Sequence, residues 1–149
     1  MIDKTAIINS KAKISNNVKI GPYTVIGPNV EIDEKTEIQS HVNITGNTKI
    51  GKNTYLDNQI HIAHNVKIGE NSIIAGQVGI AGSSIIGSNV RIGGQAGISG
   101  HIKIGNNVEI GGGSGVIKNI PDNTKVMGYP AKNIREFLRD NKWFIKQQL

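Results

Sequence analysis

Cysteine is missing from all 149 residues, which excludes both a disulfide framework and a thiolate metal site. No stretch approaches the eighteen or more consecutive apolar residues of a membrane-spanning helix, and the N-terminus lacks the basic-then-apolar pattern of a secretory signal. These absences fit a cytoplasmic protein with no membrane insertion. Aromatic residues are scarce, at two Phe, one Trp and three Tyr. That excludes a core built on rings. Because no aromatics interleave with the basic residues, it also argues against nucleic acid as a partner. Glycine, by contrast, is abundant, with 19 copies, and so is isoleucine. A thin core of branched aliphatics suits that balance.

The formal net charge is +6, which favours anionic partners. It is concentrated late in the chain, where Lys118, Lys125, Lys132, Arg135, Arg139, Lys142 and Lys146 face only Asp122, Glu136 and Asp140. A solvated helical face accounts for this run as well as a docking surface does.

The repeat decides the fold. From Ile2 onward every sixth residue is a branched aliphatic: Ile8, Ile14, Ile20, Ile26 and so on through Leu56, Ile62, Ile98 and Ile110 to Val116, with no insertion. Four places after each comes a small or branched residue, such as Ala6, Val18, Thr24, Val42, Val66, Val78 or Ala96. That residue and the next aliphatic are two apart, so a short strand points both inward. The remaining places are rich in Gly, Asn and Asp, which turn the chain. Asn recurs at one of them, at Asn17, Asn29, Asn47, Asn53, Asn65, Asn71, Asn89 and Asn107. Strand and bend alternating at this period close most simply as a triangle, with about 18 residues per coil and coils stacked roughly 4.8 Å apart. The expectation is an all-β chain, a parallel β-helix over 1–121 followed by a loop and C-terminal helix over 122–149. Within the latter, residues 131–147 after Pro130 read as an amphipathic helix with Ile134, Phe137, Leu138 and Ile145 on one side.

Four histidines exist, His41, His61, His64 and His101, and none falls on an inward place of the hexad. A single outward histidine is ordinarily a solvated one. His61 and His64 are three apart and belong to different hexads, a spacing unsuited to the three-histidine zinc sites this kind of helix can carry, so no metal is expected. Gly82 lies 18 residues after His64 and therefore stacks on it. With no cysteine nucleophile and no serine beside an evident base, a covalent enzyme intermediate is not favoured. An imidazole would supply a base near neutral pH.

The hexads resemble those of the hexapeptide-repeat acyltransferases, whose coils wind left-handed and which form homotrimers with active sites in the clefts between prisms. The run Asp57-Asn58-Gln59-Ile60-His61-Ile62-Ala63-His64-Asn65 is most similar to the catalytic segment of the lipid A enzymes, above all the UDP-3-O-acylglucosamine N-acyltransferases. The runs Ala81-Gly82-Ser83, Ile92-Gly93-Gly94-Gln95-Ala96-Gly97, Ser99-Gly100-His101 and Gly128-Tyr129-Pro130-Ala131 extend the match, while Met1-Ile2-Asp3-Lys4 and Gln39-Ser40-His41-Val42 look more like the sister O-acyltransferases. The resemblance implies His64 as general base, Gly82 as oxyanion donor and Asp57 as the carboxylate partner of the histidine. It also implies that His101, Asn65, His61 and Asn58 contact substrate. The donor would be an acyl carrier protein or coenzyme A thioester, with no other cofactor. The acceptor would be the amine of a nucleotide sugar or smaller amino sugar, because 149 residues leave no room for the family's separate uridine-binding domain. An acetyl-coenzyme A-dependent sugar acetyltransferase of the same fold, and a non-catalytic structural β-helix, are the competing readings.

Overall fold

A computed structural model describes residues 1–142 and 146. Each hexad forms one two-residue strand, beginning with Ile7–Ile8, Lys13–Ile14 and Lys19–Ile20. Each of these pairs in parallel with the strand one coil on, in the registers Ile7↔Val25, Lys13↔Glu31 and Lys19↔Glu37. Three flat sheets result, wound as a left-handed β-helix. Face one runs from Ile7–Ile8 through His61–Ile62 to Gly115–Val116, face two from Lys13–Ile14 to Lys103–Ile104, and face three from Lys19–Ile20 to Lys125–Met127. Lys132–Asn133 then returns antiparallel to Lys125–Met127.

The core is the column of inward aliphatics. Ile44, Leu56, Ile62 and Ile74 have no exposed surface, and full burial of each such side chain contributes about 1.5–3 kcal/mol. Thr24, Thr36, Thr48, Thr54, Ser72, Ser84 and Ser114 share this interior. A buried hydroxyl is costly unless it is bonded. Here each donates to a corner carbonyl, as Thr24 does to Gln39 at 2.8 Å and Ser84 to Ser99 at 2.9 Å. Among the described residues, no buried side-chain polar atom lacks a partner.

From Asn17 to Gly113 each corner has one residue in the left-handed region, with φ near +60° at Asn17, Asn47, Asn65 and Asn107, for instance. Asn tolerates that conformation, and its amide finds a second use along the stack. Asn53 donates to Asn71 at 2.8 Å, Asn89 to Asn107 at 3.1 Å and Asn107 to Asn123 at 3.0 Å. On another corner, Gln95 donates to Gln77 at 2.8 Å and Gln77 to Gln59 at 2.9 Å.

The outward strand places differ sharply among the faces. Faces two and three carry charge: Glu31 lies 3.6 Å from Lys13 and 3.0 Å from Lys49, and Lys19 lies 2.7 Å from Glu37. Face one carries none: its outward column is Ile7, Val25, Asn43, His61, Gly79, Gly97 and Gly115.

The helix α1, Ile134–Asp140, begins three residues later than the apolar pattern suggests, because Lys132–Asn133 is taken up by the antiparallel strand. Asn133 caps it, its side chain accepting from Arg135 N–H at 3.0 Å. Ile134 and Phe137 are half-buried and Leu138 is exposed, while Ile145 lies outside the described residues. Among the described residues no helix is long and apolar enough to cross a membrane.

Candidate functional site

His64 stands at the corner joining face one to face two, immediately after the strand His61–Ile62. The same corner one coil further on is Ala81-Gly82-Ser83, fixed beneath it by a bond from Ser83 N–H to the His64 carbonyl at 2.9 Å. The exposed imidazole folds down over Gly82. A methyl group at Gly82 would lie 2.6 Å from His64 Cε1 and 2.7 Å from Nε2. Only glycine leaves the ring room to lie there.

The missing side chains have a second effect. At the middle place of some corners, the N–H donates to the side chain stacked one coil on. Ser40 donates to Asn58 at 3.2 Å, Glu70 to Ser88 at 3.1 Å and Ser88 to Asn106 at 2.9 Å. One coil beyond Gly82 comes Gly100, which has no side chain to accept. The Gly82 N–H accordingly has no acceptor among the described residues. An unpartnered donor therefore lies beside an imidazole on one open corner, able to hold negative charge as it develops.

His101 closes the same corner from below, its N–H donating to the Gly82 carbonyl at 3.1 Å. Its ring occupies the place that Asn65 fills two coils earlier, and both residues are exposed with φ near +60°. The fold thus gathers His64, Asn65, Gly82 and His101 along one edge. His61 points outward from the adjacent face, paired in register with Asn43 and Gly79. Asp57 and Asn58 are elsewhere, at the corner on the far side of face one. There Asn58 donates to Asp57 Oδ1 at 2.7 Å, and Asn58 Oδ1 accepts the Ser40 hydroxyl at 2.8 Å. Within one protomer Asp57 makes no bond to His64, so any pairing of the two requires a neighbouring copy. Among the described residues no three His, Cys, Asp or Glu side chains cluster as metal ligands.

Reasoning from sequence missed the floor beside the histidine. Below His61 the outward column of face one becomes Gly79, Gly97 and Gly115. Side chains added at Gly79 or Gly97 would meet nothing within 4 Å, whereas one at Gly115 would collide with the ring of Tyr129. The result is a shallow trough of about 470 Å³, bounded by His61 and Tyr129 and walled by Ala81, Gly82, Ser99 and Ile117. Three coil steps of roughly 4.8 Å make it about 14 Å long. The signal was present in the sequence as three glycines at intervals of 18 on an outward strand place.

Comparisons agree with this architecture. The bacterial transferase hexapeptide model (six repeats) matches residues 83–118. No curated protein matches in sequence. Among solved structures, the UDP-N-acetylglucosamine O-acyltransferase of Moraxella catarrhalis is 27% identical, with 94% of this chain and 77% of that chain covered and a TM-score of 0.63. LpxA of Acinetobacter baumannii is 29% identical, with 95% and 78% covered and a TM-score of 0.60. The UDP-N-acetylglucosamine acyltransferase of Francisella novicida, 23% identical with 95% and 73% covered and a TM-score of 0.66, shares the fold. The model of the GMPPB C-terminal domain matches residues 2–94, more than half of the chain, and the chain belongs to this family of hexapeptide-repeat β-helices.

Proposed function

We propose that this protein is an acyltransferase acting on a nucleotide-activated sugar, with His64 as general base and the Gly82 N–H as oxyanion donor. One observation carries the reading: the imidazole lies over a glycine whose N–H has no acceptor. Open N–H groups occur at other corners as well, and what distinguishes Gly82 is the imidazole folded over it. The similarity to UDP-N-acetylglucosamine O-acyltransferases over more than nine-tenths of the chain supports a nucleotide-sugar acceptor.

The step runs as follows. The acceptor amine attacks the carbonyl of an acyl thioester while its proton passes to the imidazole. As the new C–N bond forms, the carbonyl π pair moves to oxygen, where the Gly82 N–H stabilises it. Collapse breaks the C–S bond, and the departing thiolate recovers the proton from His64. A hydroxyl acceptor follows the same course with a C–O bond. The trough beside Gly82 offers an apolar bed for the acyl thioester, carried by acyl carrier protein or coenzyme A. The trough has walls from only one prism. The charge-free face one, with its glycine column, suits close approach of a second prism, as a homotrimer would provide. In that assembly Asp57 of one copy could orient His64 of the next, with His61, His101, Asn58 and Asn65 contacting the acceptor.

The test is product formation by mass spectrometry, using UDP-N-acetylglucosamine and UDP-3-O-acylglucosamine with (R)-3-hydroxyacyl carrier protein or acyl-coenzyme A. Parent protein should give acylated product, and His64→Ala should lose roughly 10²–10⁴-fold in rate with an unchanged melting transition. Equal rates for the two proteins would remove His64 from the chemistry, and no product with any donor would reject the transferase reading.

A further inference from the structure

The corner joining face three to face one carries a feature that acyl transfer does not use. Its left-handed place is filled in successive coils by Tyr23, His41, Gln59, Gln77 and Gln95. Asn is the usual occupant of that conformation elsewhere in the stack. Tyr23, at φ 57°, is the bulkiest side chain held there. A bulky residue in the left-handed region stores strain, and strain retained at a surface points towards use rather than packing. Packing does not account for Tyr23, which is 61% exposed. Its backbone is nevertheless firmly held: Tyr23 N–H donates to the Thr5 hydroxyl at 2.9 Å, and His41 N–H to the Pro22 carbonyl at 3.0 Å.

The two rings stand side by side, centroids 5.2 Å apart and planes inclined by 32°. Directly below them the glutamine ladder ends. Gln95 donates to Gln77 and Gln77 to Gln59, which leaves the Gln59 Nε2 without an acceptor among the described residues. Two exposed rings thus adjoin an amide donor with a free hydrogen. Beside that amide opens a polar recess of about 450 Å³ lined by Asp57, Asn58, Gln59 and Gly76, among others. Rings of this kind bind flat π-faces, and an adjacent amide donor reads a ring carbonyl.

Resting on the proposed acceptor class, we infer that Tyr23 and His41 form a stacking platform for the nucleobase of the nucleotide-activated acceptor, with the Gln59 amide donating to a base oxygen. This gives the β-helix its own base-recognition surface.

The test is direct binding, without chemistry, by calorimetric titration of the whole protein with UDP, with GDP, and with base-free N-acetylglucosamine 1-phosphate. The variants are Tyr23→Asn and His41→Asn, which install the residue that holds this conformation at the other corners and so preserve the fold, as a melting curve verifies. Each should weaken UDP or GDP binding by about five- to tenfold and leave the base-free probe unchanged. Undiminished nucleotide affinity in both variants, equal loss for the base-free probe, or no nucleotide binding by the parent would overturn the platform. Transfer to a UDP-sugar with an unchanged KM in Tyr23→Asn would reject the platform and retain the enzyme. Ring-dependent nucleotide binding without transfer from any donor would do the reverse.

Discussion

Adding a single methyl group at Gly82 should silence the enzyme without loosening it. In Gly82→Ala the new carbon would sit 2.6 Å from His64 Cε1 and 2.7 Å from Nε2. Ordinary contact between such atoms begins at about 3.5 Å, so the imidazole must withdraw by roughly 1 Å. A reacting group misplaced by about 1 Å can cost on the order of 10²-fold in rate. The backbone N–H remains, and the clash is with an exposed side chain free to swing outward. Gly82 is absent from the left-handed positions, so alanine meets no backbone penalty there. The substitution should leave stability unchanged or raise it by up to about 1 kcal/mol, through reduced freedom of the unfolded chain. Steady-state kinetics paired with thermal melts measure both halves. The expected result is kcat down about 100-fold with an equal or higher melting temperature. Parental kcat in Gly82→Ala would refute the claim that the ring works from its place above this glycine. A lowered melting temperature would refute the claim that the close contact is local.

Two further outcomes concern the prism itself. Ile62→Ala opens a hole at a fully buried place midway along the stack and should cost about 2–5 kcal/mol in urea unfolding; a cost below roughly 1 kcal/mol would mean that neighbouring coils collapse to fill it. Asn71 holds φ 56° and accepts from Asn53. Asn71→Ala should therefore destabilise by about 1–2 kcal/mol and Asn71→Gly by less. The opposite order in denaturant midpoints would show that the side-chain ladder outweighs the backbone conformation.

The prism was legible in the sequence because one side chain in six had a single possible destination. An unbroken run from Ile2 to Val116 fixes strand, register and coil length together. The 18-residue coil in turn stacks His64 over Gly82. The same arithmetic sets Asp57 seven residues before His64 and hence at another corner, so the two cannot meet within one protomer; a match to a catalytic segment read in one dimension hides that. Gly82 as oxyanion donor came from the resemblance alone, because the hexad pattern does not show that its N–H is free. That freedom depends on what Gly100 lacks, and an absent acceptor leaves no mark at the residue that needs it. The start of α1 was misjudged for a related reason. Lys132 and Asn133 are taken up by main-chain pairing with Met127 and Val126, and main-chain pairing has no side-chain signature.

The 18-residue coil also restricts how such a protein can change length. A six-residue insertion anywhere between His64 and Gly82 would turn the later part of the prism by one third of a revolution, carrying the glycine to a different corner from the histidine. The core pattern would remain intact, and the chain would fold as a well-formed prism with its reactive groups out of phase. Only additions in whole multiples of 18 preserve rotational phase, and even those would move His64 away from Gly82 along the axis. Between these two residues, substitution is the only tolerated change. Outside them the stack can grow by complete revolutions, much as a threaded rod can be lengthened by whole turns without disturbing the alignment of a mark cut along its side.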